Sequence, residues 1–211
     1  MTKDMRILWI VCLVLSSCVN SQNKKQADGI VGGPCQGCEA LLEYGNRVLK
    51  AVDTLPEFGA ASDPLKIYGT VYQRDGVTPA ANVIIYAYHT NEKGIYPKKE
   101  ASSGWEGRHG YLRGWVKTDA KGSYTFYTFR PASYPNSTIE QHVHMTVKEP
   151  NLIPYYIDDV TFTDDPFLSD RTKNRTKARG GRGLVRLTRK NGLLHAKRDI
   201  VLGQRIPNYP R

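Results

Sequence analysis

The chain has 211 residues, a length that suits one domain with a real core. Its formal charge of +10 comes from 30 Lys and Arg against 20 Asp and Glu, unevenly spread. Residues 171–198 hold eleven Lys or Arg and no acid, so the rest carries 19 basic against 20 acidic residues, which excludes a uniformly basic surface.

The N-terminus reads as a targeting segment. Lys3 and Arg6 precede the apolar run "ILWIVCLVL" (7–15), which is too short to span a bilayer as a helix. "LSSC", ending at Cys18, resembles a bacterial lipobox, whose Cys is acylated and becomes the first residue of the mature protein. That resemblance implies a signal peptide over 1–18 and an exported chain, lipid-anchored to a bacterial membrane through Cys18. Residues 19–34 then read as a polar tether. Export argues against nucleic acid as the partner of the basic stretch. A localised positive charge can also attract an anionic substrate or lipid headgroups. Left to itself, "ARGGRG" reads as part of a solvated, partly mobile loop.

Of the four cysteines, Cys12 would leave with the signal and Cys18 would carry lipid. Cys35 and Cys38 remain, in "GGPCQGCEA". A zinc site wants four ligands, and no second Cys pair exists. A thioredoxin-like site wants a βαβ context that the chain lacks. In an exported protein, a disulfide stapling the start of a short helix is the favoured reading, with redox or metal roles as alternatives.

Residues 36–52 predict an amphipathic helix or two short pieces, and 53–64 a turn-rich linker, so 35–64 forms a segment of its own. From residue 65 to 211 the pattern is β. "LKIYGTVYQ" (65–73) alternates, and "NVIIYAYHT" (82–90) is rich in β-branched and aromatic residues. "YLRGWVKTD" (111–119), the turn "DAKG" and "SYTFYTFR" (123–130) read as a hairpin. Strands over 142–148, 155–163, 183–190 and 194–203 follow. About eight short strands predict an all-β fold, an antiparallel β-sandwich with a short N-terminal helical segment.

The strand "HVHMTVK" places His142 and His144 on one face, since side chains alternate with period two. Paired imidazoles make a two-ligand metal face. Acids are sparse nearby, but tyrosines are not. Tyr134 lies in the Pro-bracketed "PASYP" and Tyr96 in the Gly/Pro loop "NEKGIYPKK". A phenolate needs a strong Lewis acid, because its free pKa is about 10. Ferric iron is hard and highly charged enough to hold one.

"YGTVYQRDGVTPAANVIIYAYHTNEKGIY", "LRGWVKTDAKGSYTFYTFRPASYP", "HVHM" and "TFTDDP" together resemble the core of the intradiol ring-cleavage dioxygenases, from about Leu65 to Pro166. The resemblance implies that Tyr96, Tyr134, His142 and His144 ligate a non-haem Fe(III). It implies a catechol-type substrate, O2 as co-substrate, and ring opening to a muconate-type diacid. Tyr134 would serve as a catalytic general base, and no organic cofactor is implied. "GGPCQGCEA" lies outside that core and suggests a lipoprotein branch. Two features depart from the pattern. Ile139 stands where the family has a charge-stabilising Arg, and the interval from Tyr134 to His142 is short. Arg113 and Arg130 could compensate, but as strand residues they read first as ion-pair partners. The alternative function is a non-catalytic transthyretin-like module, or an iron- or catecholate-binding lipoprotein without turnover. Self-association into a homo-oligomer is left open.

Overall fold

The computed structural model describes residues 29–210. The expected signal segment, Cys18 and residues 19–28 of the tether lie outside the described residues. No helix among them is long and apolar enough to cross a membrane.

The first six strands are β1 (Val52–Thr54), β2 (Pro64–Tyr72), β3 (Ile84–Tyr88), β4 (Arg113–Lys117), β5 (Ser123–Phe129) and β6 (His142–Lys148). Six shorter ones follow: β7 (Tyr155–Tyr156), β8 (Val160–Phe162), β9 (Leu184–Val185), β10 (Leu187–Lys190), β11 (Leu193–Lys197) and β12 (Ile200–Val201). They make two six-stranded sheets. One runs β1-β5-β2-β11-β10, with β12 also on β2; the other runs β4-β3-β6-β8-β9, with β7 also on β6.

Alternation explains how the sheets face each other. In β2, Leu65, Ile67 and Val71 point inward while Lys66, Tyr68 and Thr70 do not. Ile85 and Ala87 of β3, Phe126 of β5, and Val143, Met145 and Val147 of β6 meet them in one core. Each fully buried aliphatic side chain there contributes about 1.5–3 kcal/mol. The second sheet is also covered on its outer face. Tyr86 and Trp115 pack there against Ala40 and Leu41.

Four expectations need correction. The sheets are mixed, not antiparallel: β1 pairs with β5, β11 and β12 with β2, and β8 with β9, all in parallel. Side-chain alternation carries no strand direction, so it could not reveal this. The hairpin over 111–130 does not form. β4 pairs with β3, whereas β5 crosses to the other sheet and pairs with β2 from Pro64↔Phe129 to Thr70↔Ser123. The long apolar face of β2 offers β5 more burial than the five-residue β4 could. The helix expected over 36–52 is only a 3-10 segment, Cys38–Tyr44, closed by Gly45 at φ 59°. The linker over 53–64 is partly ordered, containing the end of β1 and a 3-10 turn at Phe58–Ala60.

Candidate metal centre

Strand β6 builds the floor of the site. Val143 and Met145 point into the core, so His142 and His144 must point to the outer face of their sheet. Neighbouring β3 sets Tyr88 directly opposite His144, and the two rings stack with centroids 4.5 Å apart. Tyr88 in turn lies flat on His109 at 3.8 Å, and Tyr86 Oη lies 2.9 Å from His109 Nδ1. This aromatic layer fixes the His144 ring from below.

Two loops bring in the tyrosines. Gly94 adopts φ 74°, a left-handed conformation that costs a Cβ-bearing residue. A Cβ there would also land on the Ser133 carbonyl oxygen, so Gly94 lets the two loops touch. The Asn91 carbonyl accepts from Ala132 N at 3.2 Å, and Thr90 Oγ1 donates to the Ala132 carbonyl at 2.7 Å. Tyr96 and Tyr134 emerge from this joined pair.

Their donor atoms converge. Tyr96 Oη lies 2.7 Å from Tyr134 Oη and 2.8 Å from His144 Nε2. His142 Nε2 lies 3.1 Å from both Tyr134 Oη and His144 Nε2. The opposite ring nitrogens are occupied. His142 Nδ1 donates to the Glu140 carbonyl at 2.6 Å, and His144 Nδ1 faces Asp159 Oδ2 at 3.2 Å. Both neutral imidazoles are therefore protonated on Nδ1 and turn an Nε2 lone pair inward. Asp159 falls within 4.8 Å of both histidines, as a third ligand would. Its carboxylate nevertheless meets the outward nitrogen of His144, and so it orients that ring.

The electrostatics select the kind of metal. Burial, then the neighbouring Tyr134 hydroxyl, pushes the Tyr96 phenol well above its ordinary value. Burial also pushes Tyr134 up, against a hydrogen bond from Tyr96 that lowers it. Neither phenol ionises unaided near neutrality; a strongly charged cation at the shared point would draw their protons off. Burial pushes His142 down, which keeps it in the neutral, ligating form. Two phenols and two neutral imidazoles around one point fit a ferric ion.

Other residues singled out in the sequence lie elsewhere. Arg113 pairs with Glu43 at 2.5 Å and Glu106 at 3.2 Å. Arg130 makes a two-pronged contact with Asp164 at 2.9 and 3.0 Å. Neither reaches the site. Ile139 is 50% exposed and lines a cavity beside Tyr134 and His142. Cys35 and Cys38 are joined as a disulfide, with Cα atoms 5.7 Å apart, and Cys35 shares a cleft with Tyr88 and His144.

The basic stretch is not a loose loop. Arg175 pairs with buried Asp158 at 2.8 Å. Arg179 covers the Tyr156 ring at 3.5 Å and donates to the Gly32 carbonyl. Buried Arg198 donates to the carbonyls of Gly180 and Gly181 at 3.2 and 2.9 Å. The glycines of "ARGGRG" take positive φ, which turns their carbonyls toward that guanidinium. Sequence reasoning missed Asp159, Tyr88 and the arginines beside the cavity. "IDD" sits inside a segment read as one strand, where nothing marks the second Asp.

A two-sheet sandwich with a His-x-His strand and two loop tyrosines on its outer face defines a metal-centre scaffold. A family model described as "Dioxygenase" matches residues 51–186, more than half the chain. The chain belongs to that family, the intradiol ring-cleavage dioxygenases. It is 34% identical over 113 residues to catechol 1,2-dioxygenase 1 of Acinetobacter lwoffii, covering 52% of this chain. The match spans only 35% of that relative's length. Two solved structures share the fold. The dioxygenase domain of a carbohydrate-binding fusion from Streptomyces sp. SirexAA-E superimposes at TM-score 0.54, with 21% identity over 71% of this chain and 85% of that one. Catechol 1,2-dioxygenase from Pseudomonas arvilla C-1 superimposes at TM-score 0.57, with 16% identity over 82% of this chain and 60% of that one.

Proposed function

We propose that this protein is a non-haem Fe(III) intradiol dioxygenase that opens a catechol-type ring with O2 to a muconate-type diacid. The observation that carries the reading is the convergence of Tyr96, Tyr134, His142 and His144, whose donor atoms lie 2.7–3.1 Å from their neighbours. These four would hold the metal. When bound, ferric iron supplies Lewis acidity and draws charge from the catechol ring, which opens the ring to O2. The chain's own residues do the rest. Tyr134 and His142 border a cavity of about 250 Å³, room for one substituted ring. A catechol entering it meets Tyr134 Oη, which as a phenolate accepts a hydroxyl proton. Tyr88 covers one face of the His144 ring and shields it from solvent on that side. Family membership and the match to a catechol 1,2-dioxygenase support the reading. Export and anchoring through Cys18 belong to the same proposal.

The test is turnover in labelled oxygen. With ¹⁸O₂ and catechol, the iron-loaded protein should place both labelled atoms in the diacid. Tyr134→Phe should slow the reaction by at least about a hundredfold, the usual worth of a positioned base. No oxygen uptake across a panel of substituted catechols would contradict the reading.

A further inference from the structure

The cavity beside the metal centre has a charged far wall, and the basic stretch supplies it. Arg175 and Arg182 line it together with Tyr134 and His142. The register explains how they arrive there. His142 on β6 pairs with Thr161 on β8, and Thr161 pairs in parallel with Leu184 on β9. Two strand spacings, about 10 Å, separate the backbones of His142 and Leu184. Gly183 then packs so close that a Cβ would strike the Asp159 carbonyl. Arg182, the next residue back, is thereby held against the segment that orients His144.

The charges on this wall are not equivalent. Glu140 accepts from Ser169 N at 3.0 Å, Ser169 Oγ at 2.5 Å and Thr172 Oγ1 at 2.8 Å. Asp158 is taken by Arg175, and Asp159 by His144. Arg182 donates only to the Lys173 carbonyl, a neutral group. Among the described residues, it is the arginine of this wall without a carboxylate partner. Ile139 contributes an apolar surface to the same cavity. A ring seated between Ile139 and Tyr134 therefore has a cation beyond its far edge.

We infer that Arg182 binds an anionic ring substituent, a carboxylate, so that this site prefers carboxylated catechols to neutral ones. The inference rests on the dioxygenase reading above and names its substrate class. A guanidinium suits this task because its paired N–H groups match a carboxylate's two oxygens. Arg182 is solvent-exposed, which weakens the pair and makes it sensitive to salt.

The test compares 3,4-dihydroxybenzoate with its neutral isostere, 3,4-dihydroxybenzamide. Binding to ferric protein is measured without oxygen, by the visible band and by calorimetry. Wild type should bind the acid about tenfold more tightly than the amide, the low end for a charged hydrogen bond. Raising the salt should erode that ratio, a readout that needs no variant. R182Q should bring the ratio close to one, and R182K should keep part of it. Arg175 is the poorer target, since its loss strands buried Asp158. An equal affinity in wild type, or a preference unchanged in folded R182Q, overturns the inference alone. A preference that persists with no visible band overturns the iron reading alone. No binding of either ligand overturns both.

Discussion

Asp159 offers the sharpest perturbation of the metal centre that leaves all four donors in place. Its carboxylate stands 3.2 Å from His144 Nδ1. Removing it by Asp159→Ala frees the ring to rotate and to protonate the wrong nitrogen, which would spoil the Nε2 lone pair. Loss of such an outer partner typically costs about 10- to 100-fold in metal affinity. The Asp159 side chain is 40% exposed, so water can replace part of its role. The low end applies, about tenfold, or ~1.4 kcal/mol. Asp159→Asn keeps an acceptor oxygen and should lose less. Competition for ferric iron against a graded chelator reads the affinity directly. Iron binding unchanged in Asp159→Ala would refute the orienting role. Complete loss of iron in both variants would refute it differently, by making Asp159 itself a ligand.

Gly94→Ala should strain the left-handed turn by about 1–2 kcal/mol and push the Tyr96 and Tyr134 loops apart. Both the urea midpoint and the iron stoichiometry should fall; if both hold, the loop contact is not what assembles the site. Burial pushes His89 down to about 4, from 6.5 in the unfolded chain, against a hydrogen bond to the Thr90 carbonyl that raises it. Its contribution to stability is complete above about pH 6.5 and is lost as pH falls from there through about 4. The urea midpoint of wild type should therefore drop across that window more than that of His89→Gln, and parallel pH profiles would count against it. Cys18→Ala should release the protein from the membrane fraction, and unchanged fractionation would exclude lipid anchoring there.

The histidine face was legible because period two decides it: with Val143 and Met145 inside, His142 and His144 lie outside. The tyrosines lie in loops, where no periodicity operates, and only their order within a family pattern singled them out. Asp159 and Arg182 were not legible at all. They reach the site through the parallel pairing of β8 and β9, which joins segments 22 residues or more apart. Alternation reports which face a residue takes, not which strand lies next to it. The same blindness turned β4 and β5 into a hairpin on paper, although each prefers a partner in a different sheet. The glycines of "ARGGRG" suggested looseness because a sequence does not show Arg198 waiting to collect their carbonyls.

The measurement closest to the heart of the reading is the visible spectrum of protein loaded with one equivalent of ferric iron. Two coordinated phenolates should give a red to burgundy protein with a broad charge-transfer band. Tyr96→Phe and Tyr134→Phe should each change that band while leaving the protein coloured, and the double variant should lose it. A colourless wild-type protein that nonetheless holds iron would mean that Tyr96 and Tyr134 do not bind it, and would contradict the assignment of this centre.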